Sequence, residues 1–384
     1  MRDSVTIQKS RRAEEQKSRR AEEQKSRRAE EQKSRRAEEQ KSRRAEEQNK
    51  FQRNKFLRYP TCPFEIKPDD SIYEVLNRMG DISFQGRNLS LALKIWERML
   101  KDETMIFLGL AGAMIPAGMR KIIVYLIKNR YIDCLVSTGA NLFHDIHEII
   151  GQYHYLGTSN INDICLRKEG VDRIYDTFAS EKEFLQTDNF IGDFAYTLKE
   201  KNYSTKEFFY LLGQRLNEFS EPGILNTAAS YNVPVYCPAL GDSSIGIALT
   251  DMVKKRGRRI NFDIVKDIEE TTILASTLPS SGVIYVGGGT PKNFIQQTEV
   301  VASCLGLPAP GHKYAVQFTQ DSPQWGGLSG CTFEEAQSWG KIAKDAKMVT
   351  VHVDATIALP ILITALAQAK IKRKKVPQFT IKDN

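Results

Sequence analysis

The chain has 384 residues, 41% hydrophobic and 27% charged, enough for one large domain or two ordinary ones. Its formal net charge is +8, which calls for an anionic partner only if the charge sits on a folded surface. No run of about 18 apolar residues offers a membrane span, and the six dispersed cysteines, without a CxxC pair or an apolar leader, point to a reducing cytoplasm rather than to disulfides or zinc.

The first element carries much of that charge. KSRRAEEQ occurs five times in tandem between Lys9 and Gln48, each copy netting one positive charge, so five of the eight charges belong to the repeat. The remainder of the chain is close to balance, which makes nucleic acid an unlikely partner for the body. The only apolar residue of the repeat is Ala, and eight is neither a heptad nor an eleven-residue period. On a helix Arg11 and Glu15 fall at i,i+4, as do Glu15 and Arg19, each pair contributing roughly 0.2–0.5 kcal/mol. The expectation is a solvated charged helix or a disordered arm. Its near-identical copies favour a tandem expansion over a selected RNA tether.

We therefore divide the chain into a charged tail and linker over 1–54 and one domain over 55–384. Asp70 or Ser71 offers an N-cap for a helix over SIYEVLNRM. TMIFLGLAG reads as a buried strand, MRKIIVYLIKNR as a helix, IDCLVSTGAN as a second strand and FHDIHEIIGQY as a second helix. The stretch from DRIYDTFAS to LLGQRL reads as a polar, helical insertion or cover. VPVYCPALGDSSIG, SGVIYVGGGTPKNF, YAVQFTQD and MVTVHVDATI follow as further strands. Apolar β-branched runs that end in Gly, Ser, Thr or Asp and lead into helices mark parallel βαβ units. The fold class is α/β: a Rossmann-like, doubly wound, mainly parallel sheet with helices on both faces.

In open parallel sheets ligands bind beyond the carboxyl ends of the strands. Four such ends are rich in small residues: LGLAGAMIPAG (108–118), STGANLFHD (137–145), ALGDSSIG (239–246) and VGGGTPKN (286–293). Glycines let backbone N–H groups approach a phosphate, and a helix N-terminus adds partial positive charge. Each loop alone is equally a tight turn that needs glycine. Four in one domain point to a dinucleotide, with Asp242 available to a ribose hydroxyl. His144 and His147 are spaced to share a helix face, but no third metal ligand is identifiable. His147 and His154 read as ordinary helix polar residues, and no metal is expected. A G-x-S-x-G elbow is absent, against a serine hydrolase.

Lys341 follows Trp339 and Gly340 in EEAQSWGKIAKDAK (334–347). A lysine is nucleophilic only when deprotonated, which burial or a cationic neighbour favours. Trp339 would supply an apolar wall and Gly340 room for a substrate. By chemistry alone a surface helix lysine remains the plainer reading.

EEAQSWGKI and VHVDATIALPILITALAQ resemble the lysine segment of deoxyhypusine synthase. PVYCPALGDSSIG, FDIVKDI, GVIYVGGGTPK and FLGLAGAMIPAGMRKIIVYLI resemble that family in the same order, over about residues 55 to 370. AGAMIPAGM, STGANLFHD and DSPQWGGLSG are similar to its bacterial deoxyhypusine-synthase-like branch. The resemblance implies a Rossmann-like homotetramer that binds NAD at its interfaces and moves a 4-aminobutyl group. A hydride leaves the carbon beside the secondary amine of spermidine for NAD. The lysine at Lys341 then captures the butyl fragment as an imine, releasing 1,3-diaminopropane, and an acceptor amine displaces it before reduction.

Carried over in the same way, Trp339 walls the amine chain, Glu335 binds an ammonium, and Asn293 and His144 line the substrate pocket. Gly112, Thr138, Gly139, Asp242, Gly287, Gly288, Gly289, Thr319, Ser329 and Asp354 lie near NAD. Against the family's eukaryotic enzymes the substrate-holding residues differ: Ile247 and Leu328 each stand where an Asp is expected, Phe143 and His144 where two glutamates are, and Asn293 where a His is. The acceptor is a protein lysine or a small amine such as putrescine, the latter giving homospermidine. The rival reading is a non-catalytic NAD-binding paralogue acting as a regulatory subunit.

Overall fold

The computed structural model describes residues 2–327 and 330–378. It divides into two compact units, residues 1–62 and 63–384. The first is built on one unbroken helix, α1 (Arg2–Phe56). Within the repeat, residues 9–48, Ala is the only apolar residue, and the described side chains of the helix are exposed.

The second unit begins with a short helix, Ile72–Arg78. Of the two candidate caps, Ser71 does the work: its hydroxyl accepts from Glu74 N, and Glu74 reaches back to Ser71 N at 2.8 Å. Helix α2 (Phe84–Lys101) follows, then β1 (Thr104–Leu110), α3 (Arg120–Lys128), β2 (Cys134–Ser137), α4 (Gly139–Ile149), β3 (Val235–Tyr236), α5 (Ser244–Arg256), β4 (Ser280–Val286), α6 (Gly289–Cys304), β5 (His312–Thr319), α7 (Phe333–Ser338), β6 (Ile342–His352) and α8 (Ala355–Gln368).

The six strands stand in the order β3-β2-β1-β4-β5-β6, and every neighbouring pair is parallel. This is the doubly wound order in which the chain reverses its winding direction between β1 and β4. All seven residues of β1 are buried, so both sheet faces are covered. Ile106, Leu108, Leu110, Ile284 and Val286 pack into one core with residues of α2, α3, α4 and α8. Met105, Phe107, Val283 and Tyr285 alternate with them into a second core with Ile295 of α6 and Phe333 and Ala336 of α7. The period of two along each strand feeds two helical layers.

The insertion between α4 and β3 differs from its expected all-helical form. Residues Val171–Ile174 and Thr177–Ser180 pair as an antiparallel hairpin before helices Glu181–Thr197 and Thr205–Leu216. Tyr175 adopts φ +54 at the turn, a conformation that its side chain does not advertise.

Candidate functional site

The glycine turns after β1 and β4 meet at the point where the winding reverses. Ala111, Gly112, Gly287, Gly288, Gly289, Thr319 and Asp354 line a crevice of about 400 Å³ there. Gly112, Gly287 and Gly289 have positive φ, at +75, +73 and +54, so these turns need glycine. A Cβ on Gly287 would meet that of Ala111 at 3.4 Å, an ordinary contact, so its backbone conformation is what calls for glycine. Asp354 caps α8, accepting from the hydroxyl and backbone N of Thr356 at 2.6 and 2.7 Å. Those bonds hold its carboxyl below the ordinary value.

Thr138, Gly139 and Asp242 stand at the same edge of the sheet but do not line that crevice. Thr138 N donates to Leu110 O at 3.1 Å. Gly139 faces α5, where a Cβ on it would come 2.3 Å from Ser243 Oγ. Asp242 is exposed in the turn before α5. Asn141, which sequence reasoning passed over, ties Thr138 to the turn after β1. Its Nδ2 donates to Gly112 O at 2.8 Å and to Thr138 Oγ1 at 3.1 Å, and its Oδ1 accepts from Met114 N and Ile115 N. An Asn in the first turn of a helix after a glycine loop was the available signal.

The lysine segment forms a separate assembly. Thr332 caps α7 through Glu335 N at 3.1 Å. At the other end Trp339 is the C-cap, Gly340 has φ +70, and two bonds close the helix: Gly340 N to Gln337 O at 3.1 Å and Lys341 N to Ala336 O at 3.0 Å. This is a Schellman end, so Gly340 is explained by backbone geometry rather than by room for a substrate. Lys341 Nζ lies 5.4 Å from the centroid of the Trp339 ring. The lysine is half-buried rather than buried, and Glu335 and Trp339 are exposed. The open side of α7 is what leaves them so.

Asn293, also exposed, adjoins this assembly: a Cβ on Gly330 would lie 3.2 Å from its Oδ1. Its neighbour Lys292 was missed. It is 1% exposed, and its Nζ donates to Gln317 Oε1 at 2.9 Å and to Cys331 O at 2.6 Å. Burial pushes its pKa down to about 8, Cys331 and Glu335 hold it up, and Lys341 presses it down. Glu335 and Lys341 therefore act on Lys292 through space. A lysine in the first turn of α6 is hard to find from sequence, because nothing in GGGTPKN says that its ammonium turns inward. Ser329 and Leu328 lie outside the described residues.

His144 is held elsewhere, by a histidine cluster. His147 is a helix residue, as expected, though fully buried, whereas His154 lies beyond α4 and is not a helix residue. His144 Nδ1 and His154 Nε2 share a hydrogen bond at 2.9 Å, and His154 Nδ1 meets Glu148 Oε1 at 2.8 Å. Burial, with His154 and His147, lowers His144 to about 3; burial, then His154, lowers His147 to about 4. Phe143 is buried against His147 and Phe184. Among the described residues, no group of three or more His, Cys, Asp or Glu has a metal-holding arrangement, and no helix is long and apolar enough to cross a membrane.

The chain is 54% identical over 316 residues to "Probable deoxyhypusine synthase 2" of Methanosarcina mazei, covering 82% of this chain and 91% of that one. It is 51% identical over 302 residues to the protein of the same name from Archaeoglobus fulgidus, covering 78% and 99%. A crystal structure of an Entamoeba histolytica protein assigned to deoxyhypusine synthase superposes with a TM-score of 0.57 at 19% identity, over 81% of this chain and 98% of that one, a likeness of fold. The family model of deoxyhypusine synthase matches residues 74–366. The chain belongs to the deoxyhypusine synthase family.

Proposed function

We propose that this protein is an NAD-dependent transferase that moves a 4-aminobutyl group from a polyamine such as spermidine, through an imine on Lys341, to an acceptor amine. The family supports aminobutyl transfer in general. The observation that carries the finer reading is Lys341 itself, held by the closed end of α7 against the Trp339 ring and within electrostatic reach of Lys292.

The crevice between β1 and β4 fits a dinucleotide. Its glycines leave backbone close to the open space, and α6 begins there with unpaired-end polarity suited to a phosphate. Gly112 and Gly287 to Gly289 would hold the pyrophosphate region, with Thr319 and Asp354 beside it. NAD, when bound, would accept a hydride from the carbon next to the substrate amine and return it at the end. The chain's residues supply the other steps. The Trp339 ring face attracts a cationic amine chain, and Glu335 offers a carboxylate to its ammonium. The Lys341 amine adds to the oxidised carbon, a C–N bond to the departing diamine breaks, and the butyl fragment stays on the lysine. An acceptor amine then takes that carbon and frees Lys341. We further propose a homotetramer as the working unit, since Trp339 and Glu335 are open in one chain.

The test is borohydride added to enzyme, NAD and spermidine, followed by peptide mass analysis. An aminobutyl adduct is expected on Lys341 and not on the exposed Lys344 or Lys347. Lys341→Arg should abolish it while NAD still binds, because a guanidinium keeps the charge but forms no imine. Equal labelling of all three lysines would sink the mechanism. No adduct with any polyamine would favour a non-catalytic NAD-binding paralogue. Adding putrescine or a lysine-bearing protein decides the acceptor.

A further inference from the structure

Lys292 has no part in the chemistry just described, yet its surroundings are unusually specific. Its ammonium is enclosed between the rings of Phe333, 5.4 Å away, and Tyr285, 5.8 Å away. It bridges two pieces of backbone that the sheet alone does not join. On one side Gln317 accepts from Lys292 and donates its Nε2 to Gly287 O at 2.9 Å, in the glycine turn after β4. On the other side Lys292 donates to Cys331 O, next to Thr332, the N-cap of α7. From Thr332 the chain runs through one short helix to Glu335, Trp339 and Lys341.

We propose that Lys292 is a positioning residue that ties the glycine turn to α7, so that a dinucleotide seated on Gly287 fixes the place of Lys341. This rests on the transferase reading above. A buried cation with two oxygen acceptors is costly to misplace, because loss of either bond leaves a desolvated charge. The link is therefore stiff, and a stiff link is what holds a nucleophile at reacting distance.

Lys292→Met tests this in the full chain. The expected result is kcat lower by about a hundredfold, the scale of an ångström-sized misplacement, with KM for spermidine and affinity for NAD held within about twofold. Amide hydrogen exchange gives a readout independent of turnover. In the wild type, NAD should slow exchange over residues 332–341; in Lys292→Met it should bind without doing so. Gln317→Glu serves if Lys292→Met fails to fold, since it keeps a partner for Lys292 while removing the donor to Gly287 O. It too should bind NAD without protecting residues 332–341. Unchanged kcat, or NAD protection of 332–341 in both variants, overturns the proposal. A wild type inactive with every polyamine refutes the transferase reading, and the exchange measurement still judges Lys292.

Discussion

His144 is absorbed into packing. Its Nδ1 is bound to His154, its ring lies 5.5 Å from Phe143 and from Phe184, and burial leaves it neutral down to about pH 3. The unfolded chain would protonate it near 6.5. Below that value the unfolded state takes up a proton that the folded cluster refuses, so this residue's share of stability falls as pH drops from about 6.5 toward 3. His144→Gln cannot titrate. The gap in melting temperature between wild type and His144→Gln should therefore narrow from pH 7.5 to pH 5. Taking the difference matters because Asp145, raised to about 7 chiefly by burial, acts in the opposite sense over the same range. A gap that widens on acidification would show that His144 is protonated in the fold. Its assignment to a substrate pocket came from resemblance alone. Nothing in the local spacing signals that His154 returns to meet it from beyond α4, since that contact depends on the loop and not on helical spacing.

At the scale of elements, the repeat and the sheet were legible for opposite reasons. The strands were readable because burial on both faces demands unbroken apolar runs. The hairpin at Val171–Ser180 was not, because its residues are half-buried and its turn is made by Tyr175. The repeat was readable because its period is twice four. On α1, Arg19, Glu23, Arg27, Glu31, Arg35, Glu39 and Arg43 follow one another at i,i+4 with alternating sign. Each step adds roughly 0.2–0.5 kcal/mol, screened by salt. The repeat, whose only apolar residue is Ala, has no apolar seam to dock. Deleting residues 1–48 should remove the helical circular dichroism of that segment and leave the cooperative melting temperature of the remainder unchanged. In the full chain, raising salt should cost part of the helical signal well below the main transition. A deletion that lowers the main melting temperature by several degrees would show that the repeat packs on something.

At the scale of the whole molecule, the second unit keeps several large hydrophobic side chains exposed. Trp325 is 81% exposed, Trp339 65%, Ile247 61% and Ile357 60%. Single exposed apolar side chains are ordinary, but these belong to the segments around the strand ends and α7, where the candidate site also lies. Ile247 and Ile357 stand in the first turns of α5 and α8, and Trp325 follows β5. In the homotetramer proposed above, another copy of the chain would cover these hydrophobics and the reactive residues beside them, in a closed symmetric assembly. Sedimentation velocity should find four chains together. Trp325→Glu and Ile357→Glu each place a charge where the proposed interface excludes water, and both should shift the protein to smaller species with little loss of core stability. If Lys341 depends on the partner to cover it, those smaller species should also lose the borohydride-trapped adduct although the lysine and the glycine turns are intact. A chain that sediments as a monomer and still gives the adduct on Lys341 would overturn this assembly and leave the single-chain site sufficient.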